Sequence, residues 1–254
     1  MLLALTRAVP PCIVRCELTH LARAPIDVER AAAQHGAYEQ ALSRLGCTVT
    51  RLPDEPDYPD SVFVEDTAVV LDAIAVLARP GAESRRGETD SVAATLRSYR
   101  PLACIRAPGT LDGGDVLRVA RRVYVGLSGR TNADGVRQLA DLLAPHGYRV
   151  DGIDVGGCLH LKSAVTAVAD DVLLVNPRWV DVSRFRDFRR IEVHPEEPAA
   201  ANALRVGETV VCAAAAPRTR ERLERAGFAV ESVDVSELAK AEAGVTCCSL
   251  ILSV

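Results

Sequence analysis

Short apolar runs punctuate the chain at residues 61–70, 116–125, 161–175, 203–213 and 246–254, each rich in Val, Leu and Ala and each read as strand structure. Polar turn signals at Leu71-Asp72-Ala73, Arg121-Arg122, Asp170-Asp171 and Gly207-Glu208 fold most of these runs into hairpins. Helical periodicity follows the hairpins and the N-terminal strand at residues 27–45, 88–99, 131–146 and 217–226. Asn132 caps the third of these segments, while Pro217 near the start and Gly227 just past the end bound the fourth. A further strand is predicted at residues 47–52, 102–107, 149–155, 190–194 and 228–234.

Strand, turn, strand, helix, strand therefore recurs about five times with a period of roughly 45 residues, a range in which repeats signal propellers, solenoids or arrays. The two ends complement each other: residues 2–8 form a strand with no leading partner, and residues 246–254 form a leading strand with no repeat behind it. Pairing them closes a ring and removes exposed sheet edges. The expected fold is α/β, a closed five-bladed α/β propeller of five ββαβ repeats with pseudo-fivefold symmetry, its C-terminal strand completing the first blade. The whole of 1–254 is expected to be one domain. An open α/β sheet is the commoner result of such alternation, but it leaves the terminal strand without a partner. No GxGxxG or GxxxxGK loop is present either, and Gly113-Gly114 reads as a tight turn.

With 48% hydrophobic and 25% charged residues among 254, the chain has material for a sizeable core. Its formal net charge of -4 and lack of long like-charge runs disfavour nucleic acid and anionic membrane surfaces as partners. Residues 1–9 are apolar but short, carry Arg7 and run into Pro10-Pro11, unlike a secretory signal, so a cytoplasmic location is expected. The eight cysteines are scattered, without CxxC spacing, and are read as reduced and mostly buried thiols.

When the repeats are superposed, the start of each leading strand carries a polar residue: Glu65 and Asp66, Asp112, His160, Asn202 and Cys247. In a propeller these starts point at the axis, so carboxylates, an imidazole and a thiol from distant segments meet in one cavity, as nucleophilic catalysis requires. Asn202 reads best as a helix or turn cap. Asp60, Glu65 and Asp66 interleave with Val62, Phe63 and Val64, which draws some of the carboxylates inward, where they need cationic partners. Arginines in the loop 79–88 suit bidentate binding of a carboxylate, although Arg85 and Arg130 taken singly read as surface ion pairs.

These residues resemble the dimethylarginine dimethylaminohydrolase family of the guanidine-modifying superfamily. The likeness runs through Asp60-Ser61-Val62-Phe63-Val64-Glu65-Asp66, the loop 79–88, Leu111-Asp112-Gly113-Gly114-Asp115, Gly129-Arg130-Thr131-Asn132-Ala133, Leu159-His160-Leu161-Lys162 and Gly244-Val245-Thr246-Cys247-Cys248-Ser249. The resemblance implies a five-bladed propeller with Cys247 as nucleophile, His160 as acid/base and Asp112 orienting the imidazole. It also implies substrate binding by Asp60, Glu65 and Asp66, by Arg85 and Arg130 at the amino-acid carboxylate, and by the carbonyls of Leu18 and Ala241 near the amino group. Some members carry Glu where Asp112 stands, which alters the reach to His160. Cys248 is expected to face away from the site, as adjacent strand residues do.

Such an enzyme takes a methylated arginine, a small-molecule substrate, to citrulline and a methylamine through a cysteine thiouronium, and needs no cofactor or metal. An oligomer is compatible with the sequence. A relative such as arginine or agmatine deiminase or an amidinotransferase shares the same residues, and a non-catalytic binding propeller shares the fold. The segments around residues 18–27 and 240–244 are candidate lids, having few apolar anchors.

Overall fold

The computed structural model describes all 254 residues. In chain order the elements are β1 (Leu2–Thr6), α1 (Val28–Arg44), β2 (Cys47–Arg51), β3 (Ala68–Val70), β4 (Ala75–Leu77), α2 (Thr89–Leu96) and β5 (Leu102–Cys104). Then follow β6 (Val116–Val119), β7 (Arg122–Leu127), α3 (Ala133–Leu143), β8 (Arg149–Asp154), α4 (Leu161–Ala164), β9 (Val165–Ala167), β10 (Val172–Val175) and β11 (Arg189–Glu192). The chain ends with β12 (Leu204–Val206), β13 (Thr209–Ala213), α5 (Pro217–Arg225), β14 (Ala229–Val233), α6 (Ser236–Ala239) and β15 (Leu250–Ser253).

Five three-stranded sheets result, ordered β15-β1-β2, β3-β4-β5, β6-β7-β8, β9-β10-β11 and β12-β13-β14. All five share one topology: the leading strand is antiparallel to the middle strand, which is parallel to the third. The parallel step demands a crossover, and α1, α2, α3 and α5 supply it in four of the sheets. The fourth sheet departs from the expected ββαβ unit, since only a short 3-10 turn, Val182–Phe185, lies between β10 and β11. That turn buries Phe185 against Tyr124, the ring centroids 5.0 Å apart, so an aromatic pair covers the sheet where a helix does elsewhere.

The C-terminal strand β15 pairs antiparallel with β1, Leu2 opposite Ser253 and Leu5 opposite Leu250. The terminal N–H of Val254 then donates to the Met1 carbonyl at 2.9 Å. The two chain ends thus build one sheet, as the orphan strands of the sequence require. The sheets with a crossover helix bury the side that faces it: α3, for instance, is capped by the Asn132 side chain accepting from Gly135 N–H and inserts Leu139 and Leu143, both fully buried. Each such leucine contributes roughly 2 kcal/mol.

The leading strands β3, β6, β9, β12 and β15 together line a cavity of about 630 Å³, with Val69, Leu117, Thr166, Leu204 and Leu250 among its walls. No helix is long and apolar enough to cross a membrane.

Candidate active site

The polar residues expected at the starts of the leading strands lie one step earlier in the chain. Residues 64–67 and 113–115 form 3-10 turns, 161–164 a single helical turn, and 245–248 a turn, so each strand begins only after the site residue has been placed. Main-chain donors explain the difference. The Gly114 N–H donates to Asp66 Oδ1 at 3.0 Å, the Leu161 N–H to Asp115 Oδ1 at 2.9 Å, the Thr246 N–H to Asn202 Oδ1 at 3.0 Å and the Glu65 N–H to the Cys247 carbonyl at 3.1 Å. N–H groups that a ladder would have used are claimed by carboxylates and an amide at the centre of the molecule. The strand argument for Cys248 fails for the same reason, since it lies in the turn, buried, with its thiol 3.9 Å from the Gly244 carbonyl.

Gly113 and Gly114 serve close approach rather than a positive-φ turn. An added Cβ on Gly113 would collide with the Glu65 carbonyl, and one on Gly114 with His160 Nδ1 and Asp66 Oδ1. This contact lets the imidazole lie directly over the main chain. His160 is buried, its Nε2 3.1 Å from Asp112 Oδ2 and its Nδ1 3.7 Å from Asp66 Oδ1. Asp112 is fully buried and fixed by the Gly81 N–H, 2.8 Å from its Oδ1.

Burial opposes charge on His160, but Asp66, Asp115 and Asp112 outweigh it and hold the imidazole up at about 9. Burial likewise disfavours the Asp66 carboxylate, yet His160 and Arg85 keep it down at about 2. The buried Asp115 is pushed up to about 6 by desolvation, against His160 and its bonds to Ser128, Thr131 and Leu161. Burial first, then Glu65 and Asp66, push the Cys247 thiol up to about 12, and the Gly244 N–H, 3.3 Å from Sγ, only partly offsets them. The resting site therefore pairs a neutral thiol with an imidazolium at neutral pH. Asp66, Asp112 and His160 also present ligand atoms within 4.8 Å of one another, a spacing that would admit a metal ion. Their mutual hydrogen bonds and ion pairs already satisfy them.

Arg85, read singly as a surface residue, is buried and heavily engaged. Its Nη1 donates to Asp66 at 2.6 Å, its Nε and Nη2 to Glu88, and Nη2 also to the Phe63 carbonyl at 3.1 Å. Arg130 is also buried but far less committed, its guanidinium donating only to Thr19 Oγ1 at 3.1 Å. Asp60 is buried and accepts the Glu17 N–H at 3.1 Å, and desolvation raises its pKa. Glu65 receives Lys162 Nζ and, at 2.6 Å, the Thr246 hydroxyl, which is itself the acceptor for Asn202 Nδ2 at 3.0 Å. Burial still raises the pKa of Glu65.

Asp115, Lys162, Thr246 and Glu88 thus belong to the site's scaffold without having been singled out for it, and so does Asn202, which stood at a leading-strand start but read best as a cap. Four of them lie inside or at the end of segments marked for other residues. Asn202 does cap a 3-10 turn with its main chain, but its side chain bridges to Thr246. Leu18 and Ala241 lie on segments joined by Glu242, whose carboxylate accepts from the N–H groups of Thr19, His20 and Leu21. The arrangement can hold a cation among carboxylates, offer a nucleophilic sulfur and deliver a proton.

Comparison with known proteins places these residues in context. The pattern describing N,N dimethylarginine dimethylhydrolase, eukaryotic, matches residues 21–192. The chain is 42% identical over 250 residues to the N(G),N(G)-dimethylarginine dimethylaminohydrolase of Streptomyces coelicolor, covering 98% of this chain and 96% of that one. Identity to the enzyme of the same name from Pseudomonas aeruginosa is 41% over 226 residues, 88% of this chain and 89% of the other. The structure of the Pseudomonas aeruginosa enzyme, a cysteine-to-serine mutant complexed with citrulline, superposes with a TM-score of 0.94 at 38% identity, covering 98% of each chain.

Proposed function

Since the chain belongs to the dimethylarginine dimethylaminohydrolase family, we propose that it hydrolyses Nω-methylated arginines to citrulline and a methylamine, with Cys247 as nucleophile, His160 as acid/base and Asp112 orienting the imidazole. The observation that carries this reading is the meeting of a buried thiol, a carboxylate-bound imidazole and an excess of buried carboxylates, contributed by segments 135 residues apart between Asp112 and Cys247. Buried carboxylates in excess of their Arg85, Lys162 and His160 partners favour a further cation among them. A guanidinium supplies that cation and presents its central carbon to the sulfur.

The chemistry follows from the charge balance. In the empty site the carboxylates disfavour a thiolate. The entering guanidinium neutralises Glu65 and Asp66, so the Cys247 proton leaves to solvent only when substrate is bound. Sγ then attacks the guanidinium carbon. The His160 imidazolium protonates the departing methylamine as the C–N bond breaks, leaving a thiouronium on Cys247 and a neutral imidazole. That imidazole takes a proton from water, whose oxygen attacks the same carbon, and the C–S bond breaks to give citrulline and regenerate the cysteine.

Asp60, Glu65 and Asp66 are assigned to the cationic side of the substrate. Arg130, with donors to spare, and Arg85, itself held by Asp66 and Glu88, are assigned to the amino-acid carboxylate. The carbonyls of Leu18 and Ala241 are assigned to the amino group. We read the five sheets as blades of a closed propeller in one catalytic domain, because β15 completes the first sheet and all five leading strands wall one cavity.

The test is citrulline release from asymmetric dimethylarginine, arginine and agmatine in parallel, with Cys247→Ser as control. Turnover of dimethylarginine alone, abolished in the variant, is the expected result. Ammonia from arginine would make the protein a deiminase, and no turnover of any of the three would leave it a binding protein.

A further inference from the structure

Outside the groups already assigned, one residue combines an unusual backbone with an unusual set of partners. Glu242 has a φ of 59°, in the left-handed region that side chains other than glycine and asparagine seldom occupy. Such a conformation persists only where the surroundings impose it, and it marks a position worth a functional explanation. What imposes it here is the side chain. Glu242 Oε1 accepts three consecutive main-chain N–H groups, from Thr19 at 3.0 Å, His20 at 2.5 Å and Leu21 at 2.5 Å, more than 220 residues away in sequence. Successive N–H groups turned to one point form a concave anion site. The other oxygen, Oε2, is buried without a partner, so these three donors alone hold the charge.

The two segments joined in this way are those carrying Leu18 and Ala241, whose carbonyls are assigned to the substrate amino group. Thr19, the first donor to Glu242, also receives Arg130 Nη2 on its hydroxyl at 3.1 Å. The Glu17 N–H, on the other side of Leu18, is held by Asp60. Lys240 Nζ, donating to the Pro25 carbonyl at 3.0 Å, fastens the far end of residues 17–25, a strap across the site, to the same loop as Glu242. We propose that Glu242 is a positioning residue for the amino-acid end of the substrate. Its carboxylate fixes the Leu18 and Ala241 carbonyls and the Arg130 guanidinium in one frame, and so sets preference for a substrate with a free amino group and carboxylate. This rests on the assignment of the site to methylated arginines. Glu242 touches no reacting atom, so its removal weakens substrate binding and leaves the chemical step intact.

Glu242→Gly separates this role from a merely structural one, because glycine relieves the φ of 59° while deleting the carboxylate. The experiment measures kcat and KM for monomethylarginine, amide hydrogen exchange over residues 17–25, and the thermal midpoint. Expected are a KM raised about tenfold or more with kcat within about twofold, the pattern of lost uniform binding. Faster exchange at Thr19, His20 and Leu21 and a midpoint no lower than wild type should accompany it. Glu242→Gln, which keeps one acceptor but no charge, should give an intermediate KM, roughly threefold raised. An unchanged KM with unchanged exchange, or a kcat loss as large as the KM rise, overturns the proposal. So does a midpoint that falls in both variants. Should the wild type turn over no methylated arginine, the functional reading fails by itself. The exchange measurement then still decides whether Glu242 holds the strap: unchanged protection at the three amides overturns that too.

Discussion

His160 holds its proton through the three carboxylates around it, and the consequences are measurable as functions of pH. An imidazole held at about 9 is protonated at neutral pH, so the leaving amine can be protonated until pH rises past that value. The rate of citrulline release is expected to fall above about pH 9. Asp66→Asn removes the largest of the favourable charges and should move this alkaline limb to lower pH; a limb that stays in place would mean that Asp66 does not set the imidazole. The linked effect on stability has the opposite sense for the two partners. His160, raised in the folded state, stabilises the fold fully below its ordinary value near 6.5 and loses that contribution as pH climbs through about 9. Asp66, depressed to about 2, stabilises above its ordinary value and loses the effect as pH falls through about 2. Thermal midpoints of wild type and Asp66→Asn across the acid range read this difference directly. Cys247 and His160 stood out at this scale as candidates because they occupy matching positions of a repeat. Lys162 and Thr246 did not, since nothing in a sequence says that a lysine and a hydroxyl will face one buried glutamate.

The turns ahead of the leading strands are where the sequence pattern misled. Apolar alternation over residues 61–70 and 161–175 reads as strand from the start of each run, but residues 64–67 and 161–164 coil, the Glu65 N–H being drawn to the Cys247 carbonyl and the Leu161 N–H to Asp115. Periodicity reports which side chains are apolar, and it carries no record of a hydrogen-bond partner fifty residues away. Gly114 is the place where such a turn meets the imidazole. Gly114→Ala sets a Cβ against His160 and Asp66, and is expected to cost about 1–3 kcal/mol and to lower kcat sharply, checked by urea denaturation beside turnover. The crossover helix α3 contributes none of the site's carboxylates, thiol or imidazole. Asn132→Ala removes the cap of α3, which accepts from Gly135 N–H, and should cost about 1 kcal/mol with KM unchanged. A KM shift would show that α3 communicates with the substrate. The fourth sheet, lacking a helix, is covered instead by the turn that buries Phe185.

At the scale of the whole molecule the first sheet depends on both ends of the chain. Deleting residues 250–254 removes β15 and leaves Leu3 and Leu5 of β1, both buried, without their covering partner. Cooperative unfolding at a lower midpoint together with loss of turnover is the expected outcome; an active, equally stable truncated protein would exclude a closed ring. The sequence by itself determined the five-fold repeat, the pairing of the two end strands and the types of residue gathered at the centre. Each of these is written in periodicity and in chain order, which physical strand length and edge pairing translate without reference to distant contacts. Only the tertiary structure decided that Asp66 and Asp112 face the two nitrogens of His160 and that Arg85 is buried behind the carboxylates. It likewise decided that Glu242 bends against its own preference to hold residues 19–21. Those outcomes depend on how five separate sheets set their turns against one another, where partners lie dozens to hundreds of residues apart and burial alone fixes which charges must meet.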